Sequence, residues 1–154
     1  LDHKKGRAMD FASDGFIRES IQEFSSSNRQ NDDLEKNLAD HLLRNKQPLD
    51  SDLVEILVAD TKGKILRVNR AGAAIRGMEP WQMIGKTDWE LYPDEADLYY
   101  ADDLQVIESG RAKLGIVEQH LQGDGSKTWV STDKIPYRDH DGTVHGVIVF
   151  ASDI

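Results

Sequence analysis

The sequence predicts an α+β fold: an antiparallel sheet with helices gathered on one face. Two observations carry this. After residue 53 the periodic segments run strand, strand, several short helices, then three more strands. The turns Thr61-Lys62-Gly63, Gly123-Asp124-Gly125-Ser126 and Asp139-His140-Asp141-Gly142 are of hairpin type, so they join antiparallel neighbours.

Residues 1–50 read as a polar N-terminal helical extension or linker. Phe16/Ile17, Ile21 and Phe24 recur at helical spacing, with Ser13 as N-cap. Past the break at Ser25-Ser26-Ser27-Asn28, Leu34, Leu38 and Leu42 recur at i, i+4 and i+8. Asp32, Asp33 and Glu35 in the first turn of this helix, and Arg44 and Lys46 at its end, complement the helix dipole; Pro48 stops it. Each helix has one narrow apolar stripe and cannot make a core alone. Both are expected to pack on the rest of the chain or on a second copy.

The domain at 53–154 opens with a hairpin, residues 54–60 and 64–69. Asn69 caps a helix over 70–76 that Gly77 closes, and Pro80 sits early in a helical turn over 79–84. A longer helix over 94–109 carries Tyr100, Leu104 and Ile107 on one face and stops at Gly110. Strands follow over 113–122, 127–137 and 144–153.

Composition excludes several functions. The chain has 154 residues, 38% apolar and 31% charged, enough for one modest core. It carries 19 Lys+Arg against 28 Asp+Glu, a formal charge of −9, which argues against a nucleic-acid partner and against an anionic membrane surface. There is no apolar run long enough to span a bilayer, and the start does not lead into a signal peptide. With no cysteine, disulfides, thiolate metal sites and thiol nucleophiles are excluded; a cytoplasmic location is expected. The sequence also lacks a Gly-x-Ser-x-Gly, P-loop, HExxH or dinucleotide motif, so no enzyme activity is expected of this segment.

Several strings in order resemble the PAS family over residues 53–154. They are Val68-Asn69-Arg70-Ala71, Met83-Ile84-Gly85-Lys86-Thr87-Asp88-Trp89-Glu90-Leu91-Tyr92-Pro93, Ala101-Asp102-Asp103, and Val106-Ile107-Glu108-Ser109-Gly110. Near the end come the run from Thr128-Trp129-Val130 to Tyr137-Arg138-Asp139, then Asp141-Gly142, Gly146-Val147 and Ser152-Asp153-Ile154. The resemblance implies a five-stranded sheet of order 2-1-5-4-3, a helical bracket over one face and a pocket between them. It also implies a role, that of a sensory module in a multidomain bacterial signalling protein. The Gly-Lys-Thr-Asp-Trp-Glu-Leu-Tyr-Pro version is similar to PAS domains of sensor histidine kinases and diguanylate cyclases. There the final Asp-Ile pair leads into a signalling helix, so a C-terminal effector domain is expected beyond Ile154.

The same resemblance addresses cofactors. In the light-oxygen-voltage branch, a photoactive Cys follows a Gly-Arg-Asn string; here Gly85-Lys86-Thr87 is followed by Asp88, which cannot form a flavin thioadduct. His120, Val130 and Ala151 fall where that branch places the polar groups that hold flavin. Haem-binding relatives take an axial His from the long helix, and 94–109 holds neither His nor Met, only Tyr99 and Tyr100. Neither haem nor flavin is expected, and a bound small molecule of unknown identity is.

Strand parity sets the expected pocket. Val130, Thr132 and Lys134 face inward on the fourth strand, Ile116, Glu118 and His120 on the third, and Val147, Val149 and Ala151 on the fifth. The expected lining is Asp88, Tyr100, Leu104, Glu118, His120, Val130, Thr132, Lys134 and Ala151. A buried Lys134 needs an anion. Asp88 is the expected partner; alternatively Lys134, His120 and Thr132 bind a small polar or anionic ligand. The acids Asp88, Glu90, Asp94, Glu95, Asp97, Asp102 and Asp103 read as a solvated helix face, and no metal site is expected because their spacing matches no Ca²⁺ loop. The outer sheet face carries Trp129, Ile135, Ile148 and Phe150, an apolar patch expected to be covered by Phe16, Ile17, Ile21 and Phe24 or by Leu34, Leu38 and Leu42, forming a homodimer. Two other readings stand beside ligand sensing: a ligand-free structural interaction module, and a small acid/base enzyme using Asp88, Glu118 and His120.

Overall fold

The computed structural model describes residues 54–154 together with Asp33, Lys36, Asn37, Leu38, Asp40 and His41. Two strands, β1 (Glu55–Asp60) and β2 (Ile65–Val68), precede four helices. The helices are α1 (Arg70–Ile75), α2 (Pro80–Met83), α3 (Asp88–Leu91) and α4 (Ala96–Ser109). Three strands close the chain: β3 (Lys113–Leu121), β4 (Lys127–Arg138) and β5 (Val144–Asp153). They form one antiparallel sheet of order β2-β1-β5-β4-β3. The sequence foresaw all of these except α3, whose four residues are too few to show a period.

Local chemistry fixes the joints. Asn69 caps α1 by accepting the Gly72 N–H at 2.9 Å; the same oxygen accepts the Ile56 N–H at 3.0 Å, and its amide donates to the Val54 carbonyl at 2.8 Å. One side chain thus ties the helix start to β1. Gly110 ends α4 in the left-handed region at φ 67°, its N–H on the Val106 carbonyl. Gly146 lets β5 approach β1: a Cβ there would lie 1.9 Å from the Ala59 oxygen.

Between sheet and helical bracket, Ile65, Val68, Ala73, Met83 and Leu91 form one buried cluster, and Ala59, Val106 and Val147 another. The opposite sheet face is also covered. Ile135, Ile148 and Phe150 are buried there, as is Leu38. His41 stacks on Phe150 with ring centroids 4.9 Å apart and its Nε2 lies 3.5 Å from Asp133. Asn37 donates to the Arg138 carbonyl at 2.8 Å and accepts the Arg138 N–H at 3.3 Å. These helical residues of the extension therefore pack on their own chain's sheet. Cover on both faces explains why β4 is buried at four successive positions, Thr132 to Ile135, where one-sided cover would give alternation. Trp129 is the exception on this face, 56% exposed. Ser13, Phe16, Ile17, Ile21, Phe24, Asp32, Leu34, Glu35, Leu42, Arg44, Lys46 and Pro48 lie outside the described residues.

Candidate functional site

A cavity of about 60 Å³ lies between the sheet and the helical bracket. β3 alternation sends Glu118 and His120 to it, and β5 and β4 contribute Ala151 and Lys134. From the helical side come Met83 and Asp88, then Tyr92 beyond α3 and Tyr99 and Asp103 one turn apart on α4. Glu55 enters from β1, directly across the ladder from Ala151.

The charged groups form two networks. Lys134 is 2% exposed, and its Nζ donates to Asp103 Oδ1 at 2.8 Å and to the Tyr99 carbonyl at 3.0 Å. Burial pushes the Asp103 carboxyl upward, and the Lys134 charge and hydrogen bond oppose that. In the second network, His120 Nε2 lies 2.6 Å from Glu118 Oε2 and its Nδ1 lies 3.6 Å from Glu55 Oε1. Thr132 Oγ1 donates to the same Glu118 oxygen at 3.2 Å. Burial disfavours the His120 imidazolium, but the two flanking carboxylates outweigh it and raise its pKa to about 9. Asp88 stands apart. Among the described residues no hydrogen bond or ion pair reaches its carboxylate, and burial, with the Asp103 charge, raises its pKa to about 6.

Several expectations need correction. The partner of Lys134 is Asp103, not Asp88. Asp103 is 4% exposed, so it does not belong to a solvated acidic face. Nor does Lys134 present a free ammonium to an anionic ligand, because its charge is already neutralised. Tyr100 and Leu104 do not line the cavity. Tyr100 points to the β1–β2 turn, where its hydroxyl donates to the Thr61 carbonyl at 2.8 Å and its ring meets Trp89. The buried face of α4 holds Ala96, Asp103 and Val106, with Tyr99 at the cavity, one residue back from the face the apolar pattern marks. Val130 and Thr132 are buried beside the cavity without lining it; Thr132 acts through Glu118. Asp88, Glu118, His120, Lys134 and Ala151 do line it. Glu55, Tyr92, Tyr99 and Asp103 were missed, although the spacing of Ala96, Tyr99, Asp103 and Val106 is itself helical.

Outside the cavity, ligand atoms of Asp139, His140 and Asp141 come within 4.8 Å of one another in the β4–β5 turn. Asp139 is already committed there, accepting the N–H groups of Asp141 and Thr143 and pairing with His145 at 2.7 Å.

An open antiparallel sheet of order 2-1-5-4-3, with a helical bracket over a cavity that ionisable side chains enter, defines a class of sensory domains. A family model described as "PAS fold" matches residues 49–154, and the chain belongs to the PAS family. No curated protein sequence matches it. Among solved structures it is similar to VqmA bound to DPO, with 26% identity and a TM-score of 0.61 over 65% of this chain and 52% of that one. It is equally similar to VqmA of Vibrio cholerae in a ligand–DNA complex, with 26% identity and a TM-score of 0.60 over 64% and 45%. A sensory box sensor histidine kinase from Vibrio cholerae shares the fold, with 18% identity and a TM-score of 0.56 over 79% and 98%. The chain thus spans about half the length of the VqmA proteins it matches.

The VqmA–DNA complex overturns the exclusion of nucleic-acid partners. A charge of −9 describes these 154 residues, and VqmA, crystallised in a complex with DNA, carries a similar fold within a chain about twice as long as the matched part. No helix among the described residues is long and apolar enough to cross a membrane.

Proposed function

We propose that this PAS domain is the sensory module of a larger bacterial signalling protein. In this reading it binds a small polar molecule in the cavity and passes occupancy through the sheet to an effector such as a histidine kinase or diguanylate cyclase. One observation carries the reading. Ionisable side chains from β1, β3, β4, α3 and α4 enter the cavity, so a ligand that bridges Asp88 to Lys134 or His120 touches the bracket and the sheet at once. A core built only for stability has no need of a carboxylate such as Asp88 facing a cavity without a partner. The similarity to VqmA bound to DPO adds support, since a neighbour at 26% identity is a DPO-binding protein.

Thermal melts across a broad set of small polar metabolites test this, using the full chain and the cavity-filled variant Ala151→Leu. Binding to the folded state raises Tm with concentration. The expected result is a saturable rise for at least one compound in the native chain and none in Ala151→Leu. No rise with any compound, or equal rises in both chains, would overturn the proposal in favour of a ligand-free interaction module.

A further inference from the structure

The charges around the cavity do not balance. Four carboxylates line it (Glu55, Asp88, Asp103 and Glu118) against two basic groups, His120 and Lys134. Both basic groups are committed. Lys134 is held by Asp103 and the Tyr99 carbonyl, and His120 sits between Glu118 and Glu55. Asp88 is left facing the cavity without a hydrogen-bond or ion-pair partner among the described residues. An anionic ligand would have to displace Asp103 from Lys134 and then sit beside the remaining acids. A cation completes the unmet pairing without breaking either network. The rings of Tyr92 and Tyr99, set edge to face with centroids 5.8 Å apart, complete the wall and offer apolar surface to the body of such a ligand; their cation contacts are already made, by Arg76 over Tyr92 at 4.8 Å and Lys134 over Tyr99 at 5.8 Å, so the ammonium itself falls to Asp88.

We infer that the cavity selects a small monocation, an alkylammonium or protonated nitrogen heterocycle, with its N–H donors on the Asp88 carboxylate. The inference rests on the ligand-binding reading above and narrows it to one chemical class. It requires a recess between the sheet and the bracket, which the cavity provides, and an ionised Asp88. Burial and the Asp103 charge hold the Asp88 pKa at about 6, with Lys134 and His120 opposing and Glu118 adding to the rise, so the carboxylate is charged under neutral conditions. A bound ammonium replaces the hydration that Asp88 has lost, and a charge-assisted hydrogen bond is roughly twice as strong as a neutral one.

Three probes of matched size separate the charge classes: n-propylammonium, n-propanol and propionate, titrated at about pH 8, clear of the Asp88 transition. Binding is read from the amide NMR shifts of residues 88, 103, 120 and 134 in the native chain. The ammonium is expected to bind at least about tenfold more tightly than the alcohol, with propionate weakest. Asp88→Asn should bring the ammonium to the alcohol's affinity, and Asp88→Glu should keep most of the preference, which separates loss of charge from loss of fold. Equal or better binding of propanol or propionate overturns the inference but leaves a ligand-binding cavity. An ammonium preference that survives Asp88→Asn overturns it as well. If no probe binds, the inference fails, and the Ala151→Leu melts decide independently whether the cavity takes any ligand.

Discussion

Replacing Lys134 by Met removes a buried side chain that joins β4 to α4 through charge. The native ammonium makes two hydrogen bonds, at 2.8 Å to Asp103 and 3.0 Å to the Tyr99 carbonyl, in a position 2% exposed. Met matches the length of the stem but supplies no donor, and Asp103 is left buried with no counter-ion. Breaking a buried pair in this way costs about 3–5 kcal/mol. For a domain of about a hundred residues, each kcal/mol lowers Tm by roughly 4–8 °C, so a fall of at least about 12 °C is expected. Urea denaturation at neutral pH measures the loss directly. The double variant Asp103→Leu with Lys134→Met strands neither charge and should recover a large part of it, giving a coupling energy of about 2 kcal/mol in a double-mutant cycle. The sign of the pH dependence is also fixed. Asp103 already has a raised folded-state pKa, and losing Lys134 raises it further, so the folded variant binds a proton more tightly than its unfolded chain. The deficit should therefore shrink as the solution is acidified through that folded-state pKa. A Lys134→Met loss under about 1 kcal/mol, or a double variant as unstable as the sum of the singles, would refute the pairing as a unit.

Three further outcomes are expected. His120, raised from 6.5 to about 9 by Glu118 and Glu55 against the cost of burial, should titrate near 9 by imidazole NMR, and its stabilising contribution, full below 6.5, should fade as pH rises through 9; a transition near 6.5 would mean the carboxylates do not engage it. Leu38→Ala should cost about 3 kcal/mol in urea denaturation, because Leu38 is fully buried, and a loss below about 1 kcal/mol would show that the extension does not seal the outer sheet face in solution. Val117 and Trp129 stand 61% and 56% exposed on the neighbouring strands β3 and β4, so light scattering should give a dimer mass that the paired substitution Val117→Asp and Trp129→Ser reduces to a monomer; a native chain monomeric at every concentration would end the dimer reading.

The fold was legible because its signals are local. Hairpin turns, the Asn69 cap and the Gly110 stop act within a few residues of the elements they set. Strand parity then placed Glu118, His120, Lys134 and Ala151 at the cavity without any knowledge of tertiary contacts. Helix α4 shows where such reasoning fails. Its most apolar stripe, Tyr100, Leu104 and Ile107, predicts the inner face, but it is Tyr99 and Asp103 that reach the cavity, where Asp103 meets Lys134. Apolar periodicity finds the face of a helix that meets an apolar core. It misplaces a helix whose inner face is built to meet charge, and the Lys134 partner was misassigned for the same reason.

Two titrating groups at the cavity, Asp88 and His120, are shifted in the same direction. Asp88 and His120 both hold a proton more tightly in the folded chain than their ordinary values of 3.8 and 6.5 imply, though burial acts on them in opposite senses. For Asp88 burial raises the pKa and Asp103 adds to it. For His120 burial lowers it and Glu118 and Glu55 reverse the sign. Burial is the larger cause for Asp88, but neighbouring carboxylates push both groups the same way, Asp103 and Glu118 on Asp88 and Glu118 and Glu55 on His120. A proton is the smallest cation that site can take up, and each carboxylate it neutralises relieves the same imbalance that an ammonium at Asp88 would relieve. Between about pH 4 and 9 the folded domain therefore takes up protons at the cavity, and the stability these two groups contribute falls as pH rises. A ligand that supplies the missing positive charge should flatten that fall, which links the occupant of the cavity to the stability of the sheet that carries the signal.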